Sequence, residues 1–158
     1  MCKSYAVIMA MTFLILGGCS SLPEQDPSTP SIIQAKSFSP APEGKGYVYL
    51  FRDTYGDDYL NTYVNDKPLV GFDKYNNTLN KSFFFLKLDS GRTYKLGTIS
   101  HLGKNEMGLT VESGKTYYVC LNPNRGILPS QRDLVILTEQ KEIEDAQKSI
   151  LESIMNNP

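Results

Sequence analysis

The chain has 158 residues, with 16 basic and 17 acidic side chains, one histidine and three cysteines. There is no basic run and no basic helix face. Nucleic acid and anionic lipid headgroups are therefore poor candidates for partners.

Residues 1–19 carry the strongest local signal. Lys3 precedes an apolar run of 11 residues, Ala6 to Leu16, which is followed by Gly17-Gly18-Cys19. A membrane-crossing helix needs about 20 apolar residues, so this run is too short to span. A positive start, a short apolar centre and small residues before a cut site define a secretory signal. The run Leu16-Gly17-Gly18-Cys19 resembles a bacterial lipoprotein signal. That resemblance implies cleavage between Gly18 and Cys19, with the Cys19 thiol taking diacylglycerol and its freed amine a further acyl chain. Each buried methylene of such a chain contributes about 0.8 kcal/mol to membrane attachment. Asp after the cysteine favours inner-membrane retention in lipoproteins of Gram-negative bacteria. Ser20 stands there instead, which implies the outer membrane, facing the periplasm.

Removal of residues 1–18 leaves 158 − 18 = 140 residues. That length suits one domain, able to bury about two-thirds of the surface its unfolded chain exposes. Cys2 leaves with the signal and Cys19 goes to lipid, so Cys120 remains alone and no internal disulfide supports the fold.

Residues 19–45 read as the lipidated cysteine and a tether. Pro23, Pro27, Pro30, Pro40 and Pro42 hold such a segment extended. Ile32, Ile33 and Phe38 interrupt its polarity and are candidates for docking on the domain.

The domain is expected over 46–137. Tyr47–Arg52 predicts a strand buried on both faces, and Tyr59–Val64 a second. Asn65-Asp66-Lys67-Pro68 predicts a turn, and Leu69–Phe72 a short third strand. Lys81–Leu88 follows, then the turn Asp89-Ser90-Gly91, with Gly91 at positive φ. Thr93–Ser100 predicts a strand weakened or bulged at Gly97, followed by a turn over His101–Asn105. Glu106–Val111, Thr116–Leu121 and Asp133–Leu137 complete eight strands. Glu112-Ser113-Gly114-Lys115 repeats the earlier Ser-Gly-basic turn. Short strands punctuated this way predict an all-β, antiparallel sandwich of about seven or eight strands. The period then changes. Thr138 is a candidate cap, and Ile143, Ala146, Ile150, Leu151 and Ile154 share one face of an amphipathic helix over 138–156. That helix is expected to pack on the sandwich.

Several of these segments together resemble the domain-of-unknown-function 2846 family of bacterial lipoproteins and secreted proteins. They are Tyr49-Leu50-Phe51-Arg52, Val64-Asn65-Asp66-Lys67, Val70-Gly71, Phe83 to Gly91 and Leu109 to Val119. The resemblance covers roughly 46–137. It implies a small β-sandwich and assigns no chemistry.

Candidate sites are few. His101 and Cys120 could form a nucleophile dyad of a hydrolase, but His101 falls in a turn without a nucleophile elbow. Cys120 falls inside a strand, where a buried inert thiol is the simpler reading. One histidine and one cysteine do not close a zinc site. Asp53, Asp57 and Asp58 around Gly56 are a weak calcium candidate without EF-hand spacing. Tyr47, Tyr49, Tyr59, Tyr63, Tyr117 and Tyr118 lie on expected strands, where alternate residues face outward. They form either a platform for sugar rings or a protein, or a core edge with hydroxyls reaching water. The expected role is a lipid-anchored envelope binding or assembly module, not an enzyme, without cofactor. Its expected partners are the membrane, reached through the lipid, and an envelope protein or cell-wall glycan. A glycan or peptidoglycan binder and a Cys120–His101 hydrolase are the alternatives.

Overall fold

The computed structural model describes residues 30–52, 60–69, 81–100, 103–121 and 134–156. Among them are nine strands and two helices: α1 (Pro30–Lys36), β1 (Lys45–Arg52), β2 (Asn61–Val64), β3 (Lys67–Pro68), β4 (Ser82–Asp89), β5 (Arg92–Ser100), β6 (Gly103–Val111), β7 (Thr116–Leu121), β8 (Leu134–Ile136), α2 (Gln140–Glu152) and β9 (Ile154–Asn156). They build a sandwich of a five-stranded sheet, β8-β7-β1-β4-β9, and a four-stranded sheet, β3-β2-β5-β6. The two helices form a third layer on the outside of the first sheet.

Alternation along the central strands explains the layering. Tyr47, Tyr49 and Phe51 of β1 join Phe83 and Phe85 of β4 beneath the helices, where Ile32, Ala35, Ala146 and Ile150 meet them. The intervening residues, Val48, Leu50, Phe84 and Leu86, pack against Leu96, Leu109 and Val111 of the second sheet. A strand covered on both faces must be apolar at nearly every position, and β1 is buried from Gly46 to Arg52.

The ladders are not all antiparallel. β1 pairs β7 in parallel, and β4 pairs β9 in parallel. β8 and β9 are the two edges of the first sheet, and α2 carries the chain from one to the other across its face. Such a crossover is the ordinary way to join strands that run in the same direction.

The turns at one end of the sandwich are tight and interlocked. Gly91 and Gly114 both hold φ 75°, the region where a Cβ is penalised. They let the two Ser-Gly turns carry the chain between sheets. Ser90 N donates to the Gly44 carbonyl, and Gly114 N to the Lys45 carbonyl, so both turns grip the start of β1.

Four expectations are corrected. Residues 30–36, expected within an extended tether, form α1, with Ile32 and Ala35 buried. Pro30 opens it, where a missing N–H costs nothing, and the folded unit therefore begins well before residue 46. The strand expected over Leu69–Phe72 lies outside the described residues from Val70 onward, while Lys67–Pro68, expected in a turn, forms β3. Asn65 and Asp66 at φ 49° and 63° form the two-residue turn before it, the backbone that matches strand twist in a tight hairpin. The expected bulge at Gly97 is absent, because β5 keeps unbroken register with β6. Finally, the terminal helix stops at Glu152, and Ile154–Asn156 leave it to pair with β4. Its N-cap is Glu139, not Thr138, without a side-chain cap bond.

Candidate functional site

The tyrosines divide by layer. Tyr47, Tyr49 and Tyr118 are buried under the helices. Tyr49 and Tyr118 stack with centroids 5.1 Å apart and planes 7° from parallel. The Tyr49 hydroxyl donates to the Ala35 carbonyl at 2.6 Å. Gln34 Nε2 donates to the Tyr47 hydroxyl at 2.9 Å, and Gln147 Nε2 to that of Tyr118 at 2.7 Å. Burial raises the Tyr49 hydroxyl pKa, and the neighbouring Tyr118 and Tyr47 add to the rise. Burial likewise raises that of Tyr118, against the Gln147 hydrogen bond. These rings fasten α1 and α2 to the sheet, so the expected open platform is corrected for all three. Tyr117 is half-buried, its hydroxyl accepting from Glu112 N at 3.0 Å. Tyr59 lies outside the described residues.

Tyr63 is different. It sits on the outer face of the second sheet but is only 4% exposed. Its ring lies over Gly97, directly opposite on β5; a Cβ there would overlap the ring and hydroxyl. Gly97 is thus a seat for an aromatic ring rather than a bulge. The Lys104 ammonium stands 5.1 Å from the ring centroid, a cation–π arrangement.

Around this ring the sheet carries a closed charge network. Lys95 bridges Asp66 and Glu106, and Lys104 pairs with Glu106 at 2.8 Å and reaches Asp66 at 4.0 Å. The Tyr63 hydroxyl donates to Glu106 Oε1 at 2.8 Å. Glu106 is consequently held down to about 2, first by the Lys104 hydrogen bond and then by Tyr63. The Tyr63 pKa is raised by burial and by the same carboxylate. Lys95 and Lys104 are raised by their hydrogen bonds to Asp66 and Glu106 respectively.

Beside the network lies an open hollow of ≈ 220 Å³, lined by Asn61, Thr62, Tyr63, Asp66, Pro68, Ile99 and Lys104. Ile99 is 45% exposed on it, an uncommon state for an isoleucine on a strand. An apolar patch held between fixed opposite charges can bind a surface of matching shape. Nothing about it requires bond chemistry.

Of the remaining candidates, Cys120 is the one within the described residues. Cys120 is half-buried on β7 and packs against the aromatic layer beneath the helices. Gly18, Cys19, Asp53, Asp57, Asp58 and His101 lie outside the described residues. Among the described residues, no group of three or more His, Cys, Asp or Glu is placed to hold a metal.

Sequence reasoning missed one feature. Toward the ends of β1 and β5, the space between the sheets turns polar, with Arg52, Ser82, Asn156, Thr62 and Thr98 all buried. Asn156 Nδ2 donates to Ser82 Oγ at 2.9 Å. Ser82, Thr62 and Thr98 occupy inward positions by strand alternation, which is a usable sequence signal. Asn156 carries no such signal, because it reads as a helix stop.

No family model matches the chain. An uncharacterized protein of Haemophilus influenzae is 26% identical over 137 residues, which are 87% of this chain and 75% of that protein.

Proposed function

We propose that the chain is a lipid-anchored envelope protein, attached through Cys19 to the outer membrane, that binds another protein without turning over a substrate. We include in this reading its place in the domain-of-unknown-function 2846 family. The observation that carries the binding role is Ile99, exposed in a hollow rimmed by Asp66 and Lys104. An apolar centre inside a polar rim is the anatomy of a protein interface. The rim is already ordered by its ion network, which lowers the entropy lost on docking. A protein partner is favoured over a glycan because the sugar reading needs open tyrosine rings, and Tyr47, Tyr49, Tyr63 and Tyr118 are buried.

The test places a photo-crosslinking residue at Asn61 in the full chain in cells. A discrete adduct should form, be lost in Ile99→Asp, and persist in Thr93→Asp on the same face. Trapping unchanged by Ile99→Asp would remove the hollow from the account. In parallel, Cys19→Ala should release the protein from the membrane fraction, and retention there would refute the anchor.

A further inference from the structure

The second sheet ends in β6, which pairs only with β5 among the described residues, over nine residues without interruption. The direction of its backbone groups follows from β5. The Lys95 N–H and C=O are taken by Asn65 on the β2 side. Alternation then turns the even-numbered residues of β5 toward β6, and the odd-numbered residues of β6 toward β5. Lys104, Glu106, Gly108 and Thr110 therefore direct their N–H and C=O groups away from the sheet. The Thr110 carbonyl accepts from the Tyr117 hydroxyl at 3.4 Å. The stretch left for another strand is Lys104 to Gly108.

An edge of this length is a template for strand addition, and a lone lysine is a common defence against it. Here Lys104 shares its face with Glu106, two residues on, and the pair is self-complementary when antiparallel. A two-fold axis at Asn105 sets Lys104 opposite Glu106 of a second copy, twice. An axis at Lys104 would oppose two lysines, and one at Glu106 two glutamates, both unfavourable. An axis at Met107 would call on the Thr110 carbonyl that Tyr117 already covers. Among the described residues, Tyr63, Lys95 and Lys104 all meet Glu106 at Oε1, and a carboxylate can accept at both of its oxygens.

We propose that two copies of this chain associate by antiparallel β6–β6 pairing centred on Asn105, joining two four-stranded sheets into one of eight strands. The pairing lies at the sheet edge and leaves the Ile99 hollow on its outer face.

The test uses the full chain after the signal, with Cys19→Ala and Cys120→Ser. Sedimentation equilibrium should show a concentration-dependent dimer. Lys104→Glu or Glu106→Lys alone should weaken it roughly tenfold or more by opposing like charges. The double exchange, Lys104→Glu with Glu106→Lys, should restore it, a result that loss of folding cannot mimic. Residues directly opposite in a pair without mutual hydrogen bonds have Cα atoms about 4.5 Å apart, within disulfide reach. Asn105→Cys should therefore oxidise to a covalent dimer much faster than Met107→Cys. A monomer at all concentrations, no restoration by the double exchange, or faster oxidation at residue 107 would each overturn the proposal.

Discussion

Replacing Gly97 by alanine is expected to destabilise the protein through one neighbour, Tyr63. Alanine in a strand is ordinarily better than glycine by about 0.5–1 kcal/mol, so the naive expectation is a gain. The added Cβ would instead overlap the Tyr63 ring and hydroxyl. The ring has only two torsions with which to escape, and it is 4% exposed. Overpacking of this kind costs about 1–3 kcal/mol. Complete expulsion of an aromatic ring, burying about 150–250 Å² at about 25 cal/mol per Å², sets a ceiling of about 4–6 kcal/mol. The net expectation for Gly97→Ala is a loss of about 1–3 kcal/mol. The assay is urea unfolding of Gly97→Ala, Tyr63→Val and the double variant. Valine removes the ring and keeps strand preference. In the Tyr63→Val background, Gly97→Ala should be neutral or stabilising, and the cycle should give a coupling of about 1–3 kcal/mol. An equal cost of Gly97→Ala in both backgrounds would refute the ring-seat argument.

Two further outcomes follow from the same contacts. Glu106 ordinarily titrates near 4.5 and is held down to about 2 in the folded chain; its contribution to stability is therefore complete above pH 4.5 and is lost as pH falls through about 2. A carboxyl-carbon NMR titration should show that midpoint, with Lys104→Met raising it; a wild-type midpoint near 4 would contradict the network. Lys36 donates to the carbonyls of Leu151 and Ser153 at 2.8 and 3.0 Å, supplying the cation that the last turn of α2 lacks. Lys36→Met should cost about 0.3–1 kcal/mol and quicken amide exchange at Ser153 and Ile154, whereas unchanged exchange there would exclude the capping role.

Much of the fold was legible because local chemistry and tertiary environment agree. β1 and β4 are buried on both faces, so their apolar runs declare them. Asn65, Gly91 and Gly114 declare turns because backbone at positive φ suits few other residues. Legibility failed where the deciding contact is distant. α1 sits among prolines and serines, and only Ile32 and Ala35 bury against partners more than ten residues away. Ile154 continues the spacing of α2, so nothing local says that the chain leaves the helix to pair in parallel with β4. At the candidate site, strand alternation puts Lys104 and Glu106 on one face and Tyr63 outward. It does not reveal that the helices cover Tyr47, Tyr49 and Tyr118, or that Gly97 seats a ring.

That layering also orients the molecule. The helices cover one face of the five-stranded sheet, the second sheet covers the other, and the outer face of the second sheet holds the Ile99 hollow. The described chain begins at Pro30, in the helical layer, on the opposite side of the sandwich. Packed sheets stand about 10 Å apart and a helix layer adds a similar thickness. The start of α1 and the hollow are therefore separated by the full depth of three layers. Eleven residues, 19–29, connect Cys19 to α1, and an extended chain of that length reaches at most about 36–40 Å. On the proposed reading, a lipid at Cys19 would hold the helical layer nearer the bilayer and leave the second sheet free to turn toward the periplasm. α1 docks on the domain with Ile32, Ala35 and Lys36, which would fix the side from which the proposed anchor leaves. Severing that docking should loosen orientation without removing attachment. The proposed anchor and the proposed binding face would in this way be separable by mutation.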